Sequence, residues 1–269
     1  MAAALVLAAL WTLVPRPVSA APPDLGGLGY AQRPGSTLPL AARLAESDGR
    51  PTTLGAMIGQ APTLLVLGYY TCPSLCGVIR DDLFAALSAS GLATPRDYHL
   101  VFLSIDPAER PRDAARALAA DLSRAPTPGA ALGWHFATAD VSAIGSVSRA
   151  VGYHSRYDVS LKQFLHPAGV VVLTPAGRVS SYLLGVGYQP AALRAALGTA
   201  REDEIGARAS PVLLLCFHYD PATGRYSLAI VKLLRIMGGV TMLTILGLLA
   251  LLYRRRPSPG PEPGDQRGA

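Results

Sequence analysis

The sequence predicts a single α/β domain with a hydrophobic segment at each end of the chain. Two observations predict the fold class. Short apolar runs typical of buried strands alternate with segments of helical spacing, and the series closes with a hairpin pattern followed by a helix. A third observation concerns size, because the roughly 200 residues between the hydrophobic ends are enough for one well-packed core.

The first half of the domain supplies its leading strands and one helix. Ser47–Arg50 is a turn signal between two short extended stretches within residues 40–54. Residues 63–69 are short and continuously apolar, which predicts a buried strand. A helix is predicted from Cys76 to the Ser90-Gly91 pair, and the next strand at residues 98–105.

The second half continues the same alternation of strands and helices and ends with a hairpin followed by a helix. It contains, in chain order, a helix at Pro111–Ser123 with proline in its first turn, a strand at Trp134–Thr138, a helix capped by Asp140 that runs through Val151, hairpin strands at Gly169–Thr174 and Arg178–Leu184, and a last helix from Pro190. This order of elements is the basis of the α/β prediction.

Charge is concentrated at the ends of the chain. The whole chain has 24 basic and 18 acidic side chains, whereas the body from Asp24 to Ile230 has 17 basic and 16 acidic ones. A nearly neutral body gives no electrostatic footprint for nucleic acid, so that class of partner is not expected.

Both ends predict export and membrane attachment. Residues 1–20 are expected to be a signal peptide, because Met1–Leu13 is apolar and Val18-Ser19-Ala20 is an A-x-A-like cleavage site, although the basic n-region is missing. Near the other end, an apolar run closes with Arg254–Arg256, which predicts a transmembrane helix whose following tail lies in the cytoplasm. The domain is therefore expected outside the cytoplasm.

These features divide the chain into six parts. They are a signal peptide at 1–20, a linker at 21–38, the α/β domain at 39–206, a juxtamembrane segment at 207–230, a transmembrane helix at 231–253 and a cytoplasmic tail at 254–269.

The most informative motif is Cys72-Pro73-Ser74-Leu75-Cys76, which follows the strand at 63–69 and holds two of the three cysteines. Inside one helix, side chains four apart would have Cβ atoms about 5–6 Å from each other, wider than the roughly 3.5–4.5 Å of a disulfide. The spacing thus favours bridging by a soft metal such as copper(I) or zinc over a routine redox pair. A structural disulfide remains open, because exported cysteines usually pair.

Histidine is the natural third ligand for such a pair. His99 is expected at the surface or in packing, His135 in the core and His154 in a solvated loop. His166 precedes the apolar strand at 169–173, and in a thioredoxin-like layout that hairpin lies beside the dithiol loop. Cys216 and His218 form a second possible soft-ligand pair, for which packing beside the membrane is the more ordinary interpretation.

Taken together, these residues resemble the Sco/SenC family of copper-binding, thioredoxin-like assembly factors for cytochrome c oxidase. The resemblance is carried by Tyr70–Cys76 after its strand, by Phe102–Pro107 on the next strand, and by His166 ahead of the turn Thr174–Arg178. It extends over about residues 39–197. Gly77 and Leu165 depart from the family, which usually has proline and an acidic residue at those positions.

The resemblance implies a fold, a site and a partner. The fold would be thioredoxin-like, copper would be held by Cys72, Cys76 and His166, and Asp106 would help to order the loop. The partner would be the copper-accepting subunit of cytochrome c oxidase. The domain would lie on the periplasmic side of a bacterial inner membrane.

Three functions use this site differently. A copper chaperone needs all three ligands, whereas a thiol–disulfide reductase of the oxidase subunit needs only Cys72 and Cys76. A peroxidase or redox sensor of the same fold would need one reactive thiol near Thr71 and Arg80.

Overall fold

The computed structural model describes residues 27–72, 76–125, 127–209, 219–220, 225–226 and 237–248, with only the backbone of residues 76–78, 219–220 and 225–226. The strands are β1 (Gly29–Tyr30), β2 (Arg43–Glu46), β3 (Pro51–Thr53), β4 (Thr63–Gly68), β5 (His99–Ser104), β6 (Trp134–Thr138), β7 (Tyr153–His154), β8 (Arg156–Asp158), β9 (Gln163–Leu165), β10 (Gly169–Leu173), β11 (Val179–Leu184), β12 (Tyr219–Asp220) and β13 (Arg225–Tyr226). The helices are α1 (Leu54–Met57), α2 (Cys76–Ser90), α3 (Pro111–Arg124), α4 (Ala130–Gly133), α5 (Val141–Ala150), α6 (Pro190–Arg201) and α7 (residues 237–248).

A mixed sheet of seven strands, in the order β11-β10-β4-β5-β6-β2-β3, forms the centre of the domain. The strands β4, β5 and β6 are parallel, with Val66 opposite Phe102 and Phe102 opposite Phe136. The strands β10 and β2 join this parallel core from either side in antiparallel orientation. The carboxyl ends of β4, β5 and β6 therefore meet at one edge of the sheet.

The sheet separates two hydrophobic cores. On β4, Leu65 and Leu67 point into one cluster, while Leu64 and Val66 point into the other. The first cluster is closed by residues of α1 and α5, and the second by residues of α2, α3 and α6. Burial on both faces explains why β4 is a continuous apolar run rather than an alternating one.

The predicted α/β class is confirmed, and the main elements begin and end within a few residues of their predicted positions. Local signals explain this agreement. The side chain of Asp140 accepts the backbone N–H of Ala143 and begins α5, and Pro111 occupies the first turn of α3. The helices α1 and α4 and the short strands β1, β7, β8 and β9 were not predicted from the sequence.

Part of the segment predicted as a linker is packed structure. Gly29 and Tyr30 pair with β7, Thr37 forms a bridge with Arg178, and Leu38 is buried. The folded unit therefore includes residues 29–38, ahead of the predicted boundary at residue 39. This contact is non-local, which is why no local pattern predicted it.

The predicted membrane segments are only partly within the described residues. Residues 237–248 are helical. Within the described ranges, no helix has the length and apolar character needed to cross a bilayer. The predicted transmembrane helix at 231–253 extends past α7 on both sides, so it stays a prediction. Residues 1–20, Cys216, His218 and the tail at 254–269 lie outside the described residues.

Candidate metal and dithiol site

The loop that carries Cys72 leaves the sheet at the carboxyl end of β4. Ligand and catalytic sites of α/β sheets lie at this edge, where loops leave parallel strands. The loop runs from Tyr69 to Cys72, and α2 begins at Cys76, so both cysteines of the motif lie where sequence analysis expected them. Cys72 is partly buried and packs against the core cluster that contains Tyr69 and Tyr153.

His166 reaches the same edge from β10. Because β10 is antiparallel to β4, with Val170 opposite Val66, the residues before β10 lie beside the end of β4. A Cβ atom added to Gly68 would be 3.8 Å from Cε1 of His166, which places the imidazole directly against that strand end.

Aromatic contacts hold the His166 ring. Its centroid lies 5.7 Å from that of Tyr69, with the planes at 74°, and 6.5 Å from that of Tyr153. His166 and Cys72 thus contact the same core cluster. The Nδ1 atom of His166 is 3.2 Å from the carbonyl oxygen of Pro167, and a proton donated there leaves the ring lone pair on Nε2.

A buried carboxylate fastens the dithiol loop to β5. One oxygen of Glu109 accepts the backbone N–H of Tyr70 at 2.9 Å and the hydroxyl of Ser104 at 2.6 Å. The other oxygen accepts the backbone N–H of Thr71 at 2.7 Å and its hydroxyl at 2.8 Å. Glu109 is only 5% exposed, so water does not compete for these bonds.

Glu109 has the loop-ordering contacts that sequence analysis expected of Asp106. The Asp106 carboxylate instead accepts the backbone N–H of Ala108 at 2.8 Å, within its own turn. Its carbonyl oxygen accepts the backbone N–H of Glu109 at 3.2 Å, so the turn directs Glu109 inward. Glu109 was not predicted as a functional residue, because a single glutamate between a turn and a helix is ordinarily exposed.

Tyr70 anchors the loop from the other side. Its hydroxyl lies 2.9 Å from the carbonyl oxygens of both Phe102 and Ala137, which are on two adjacent strands. Burial, and then the negative charge of Glu109, raises the pKa of Tyr70 well above its ordinary value. The phenol therefore remains a neutral hydrogen-bond donor.

The groups needed by a peroxidase or sensor are engaged elsewhere. Arg80 is buried on α2, with its Nε 3.0 Å from Asp121 and its guanidinium 5.5 Å from the centre of the Phe102 ring. The Thr71 hydroxyl donates to Glu109. These contacts give both side chains structural roles and weaken that interpretation.

The three other histidines that the structure describes have contacts of their own. His99 begins β5 and stacks against His135 with ring centroids 6.0 Å apart. Burial, and then the neighbouring His135, lowers the pKa of His99. His135 is half-buried, with Nδ1 3.0 Å from the Glu46 carboxylate, and His154 is exposed as expected.

The complete ligand set remains a prediction. Among the side chains that the structure describes, no group of three His, Cys, Asp or Glu residues is arranged to hold a metal ion. The Cys76 side chain lies outside the described residues, so that finding does not extend to the set Cys72, Cys76 and His166. Two thiolates and one imidazole are nevertheless a donor set suited to copper.

The chain is detectably similar to known proteins in structure and not in sequence. No protein-family profile matches the chain, and no curated protein has a detectably similar sequence. A candidate electron transfer protein from Aquifex aeolicus VF5 matches with a TM-score of 0.54 and 23% identity, over 63% of this chain and 95% of that one. A SCO1/SenC family lipoprotein from Bacillus anthracis str. Ames matches with a TM-score of 0.51 and 15% identity, over 63% and 99%.

A third solved structure is that of Arabidopsis thaliana ScoI with copper bound. It matches with a TM-score of 0.48 and 18% identity, over 63% of this chain and 97% of that one. The first two of these matches, whose TM-scores are above 0.5, establish the fold, which is a Sco/SenC-like thioredoxin fold. Within that fold, the Cys72 loop and His166 lie at the same edge of the central sheet.

Proposed function

We propose that this protein is a copper chaperone that binds its cargo through Cys72, Cys76 and His166 and passes it to a copper-accepting subunit of cytochrome c oxidase. One observation carries the proposal. The His166 ring lies against the end of β4, from which the Cys72 loop leaves, and both residues contact the same core cluster.

The chemistry of the donor atoms supports copper as the cargo. Thiolates select copper(I) or zinc, and an added imidazole makes a site that also tolerates copper(II). A thiolate of an acceptor protein can replace these ligands one at a time, so copper is transferred without being released. The Sco/SenC-like fold agrees with this assignment, since the sequence resembles that family at the motif residues.

The proposed location follows from the chain ends. A signal peptide at 1–20 would export the domain, and a transmembrane helix at 231–253 would hold it on the periplasmic side of a bacterial inner membrane. The tail at 254–269 would then be cytoplasmic. The copper-accepting subunit would be reached from the periplasmic side.

Copper titration of the full chain in detergent tests the proposal. We expect one tightly bound copper ion per chain, lost in Cys72→Ser and Cys76→Ser and weakened at least tenfold in His166→Ala. His154→Ala is the matched control, because the His154 side chain is exposed and its Nδ1 lies 3.1 Å from the carbonyl oxygen of Gly152, and it should bind like the wild type. Equal affinity in His166→Ala and His154→Ala would overturn the ligand assignment.

A thiol–disulfide reductase is the second candidate, favoured by the start of α2 at Cys76. A helix N-terminus stabilises a nearby thiolate, which is the reactive form in disulfide exchange. In this reaction Cys72 and Cys76 give up two electrons and two protons to become a disulfide, while a disulfide of the oxidase subunit becomes two thiols.

Complementation of oxidase assembly in cells separates the two functions. A reductase requires both cysteines but not His166, so His166→Ala would restore assembly fully. A chaperone requires all three residues. We expect His166→Ala to fail together with both cysteine variants, because His166 is a ligand in the proposed site.

A further inference from the structure

The hydrogen bonds of Glu109 connect it to the loop that carries Cys72. Among the described residues, its carboxylate has four partners, all neutral donors, and three of the four belong to Tyr70 and Thr71. These two residues directly precede Cys72. Hydrogen bonds between an ionised carboxylate and backbone N–H groups are stronger than neutral ones. Glu109 therefore restrains the approach of the chain to the first cysteine.

We propose that Glu109 is a positioning residue for the dithiol, which it sets in place by holding the loop 69–72 against β5. The inference rests on the proposed role of Cys72 and Cys76, and it assigns the restraint of their loop to a residue on a different element. Glu109 itself lies between β5 and α3 and does not coordinate the cargo.

The pairing pattern explains why a carboxylate is required. A carboxylate has about four acceptor sites and no donor. Each oxygen of Glu109 receives one backbone N–H and one hydroxyl. A glutamine would direct its NH₂ group at the backbone N–H of either Tyr70 or Thr71, whichever way the amide is turned. Glu109→Gln therefore loses one loop contact as well as the charge.

Three variants separate loop positioning from general stability. Glu109→Gln removes one of the two acceptor oxygens together with the charge, and Thr71→Val removes the bond of a loop hydroxyl. Ser104→Ala removes the bond from a strand hydroxyl to Glu109, together with the bond that this hydroxyl accepts from the backbone N–H of Asp106. Ser104→Ala is the matched control, because it weakens the same carboxylate network while leaving every contact between Glu109 and the loop in place. Each variant is studied as the full chain below its melting temperature.

The copper-free readout is the exchange equilibrium of Cys72 and Cys76 with glutathione. A loosened loop raises the entropy lost on closing a disulfide, which shifts the equilibrium toward the dithiol. We expect a shift of at least tenfold for Glu109→Gln, equivalent to about 30 mV. Thr71→Val should shift in the same direction, and Ser104→Ala should remain within twofold of the wild type.

The copper readout is the absorption spectrum of the copper(II)-loaded chain. Glu109→Gln and Thr71→Val should change the thiolate-to-copper band, and Ser104→Ala should retain it. A wild type that binds no copper would refute the chaperone, while the glutathione equilibrium would still decide the role of Glu109.

Two results overturn the inference. One is a Glu109→Gln chain that melts earlier but keeps the wild-type exchange constant and spectrum, since its role would then be stability alone. The other is a shift in Ser104→Ala as large as that in Thr71→Val. A dithiol that neither exchanges with glutathione nor binds copper refutes both the inference and the proposed function.

Discussion

The His166 ring meets the Tyr69 ring edge to face, with centroids 5.7 Å apart and planes at 74°. Tyr69 is the first residue after β4 and is buried in the core. The contact therefore joins the base of the Cys72 loop to the start of β10. Edge-to-face pairs contribute about 0.5–1.5 kcal/mol beyond the area they bury.

Replacing Tyr69 should loosen both sides of the site. We expect Tyr69→Leu to lower the free energy of unfolding by about 1–3 kcal/mol and to weaken copper binding, because the His166 ring loses its support. Urea unfolding and copper titration measure the two effects. Tyr157→Leu is the control, since Tyr157 is exposed and packs against Phe164 on β9. Unchanged copper affinity in Tyr69→Leu would show that Tyr69 does not support His166 as a copper ligand.

A substitution at Gly152 tests whether residues 29–38 pack against the domain. It has a φ of +64°, and an added Cβ would lie 1.9 Å from the carbonyl oxygen of Ala31. We expect Gly152→Ala to destabilise the protein by about 2 kcal/mol or more, since both strain and a backbone clash oppose it.

Gly198 is the matched control for this change. It lies within α6 and has no atom within 4 Å of an added Cβ. Gly198→Ala should therefore stabilise the protein by about 0.5–1 kcal/mol, because alanine is the better helix former. Thermal unfolding of both variants measures the contrast, and equal effects would mean that residues 29–38 do not pack as described.

The ion pair of Arg80 and Asp121 should matter to stability rather than to reactivity. Burial raises the pKa of Asp121, although Arg80 and Arg124 act against it. Arg80→Met leaves that carboxylate buried with less compensation, so we expect a loss of about 3–5 kcal/mol in urea unfolding. Arg80→Met combined with Asp121→Leu should recover much of this loss. If Arg80→Met keeps the stability of the wild type and changes only the reactivity of the cysteine thiols, the role of Arg80 is in thiol chemistry and not in stability.

The ionised side chain of Asp97 should contribute to the stability of the fold at neutral pH, and this contribution should be lost in acid. Its hydrogen bond with Arg96, supported by the Ala93 backbone N–H, lowers the pKa of Asp97 from 3.8 to about 2. A depressed carboxyl pKa stabilises the folded state above the unfolded-state value, and the effect is lost as the pH falls from 3.8 toward 2. Asp97→Asn should thus melt below the wild type at pH 6.

The difference between Asp97→Asn and the wild type should shrink as the pH falls below 4. Thermal unfolding at pH 6 and pH 3 measures it. Asp48→Asn is the control, because Asp48 is exposed and its partner Arg50 is solvated, so its effect should be small at either pH. A difference for Asp97→Asn that is independent of pH would contradict the assignment.

The central elements could be predicted because their signals are local. The apolar run of β4, the cap at Asp140 and the prolines at the starts of α3 and α6 act within a few residues. The short strands β1 and β7 pair across more than a hundred residues and hold little periodicity of their own. The local sequence pattern of residues 29–38 therefore predicted a linker.

The site was predictable in part for the same reason. Cys72 and the start of α2 at Cys76 are placed by the strand before them and the helix after them, and His166 by its strand. Glu109 could not be found in this way, because its importance arises from four donors that only the tertiary fold brings together.

X-ray absorption of the copper(I)-loaded full chain tests the central claim most directly. The proposed site predicts two sulfur ligands and one imidazole nitrogen around copper. The imidazole contribution should disappear in His166→Ala and remain in His154→Ala, and one sulfur should be lost in each single cysteine variant. A spectrum that keeps its imidazole contribution in His166→Ala would contradict the assignment of His166 as the third ligand.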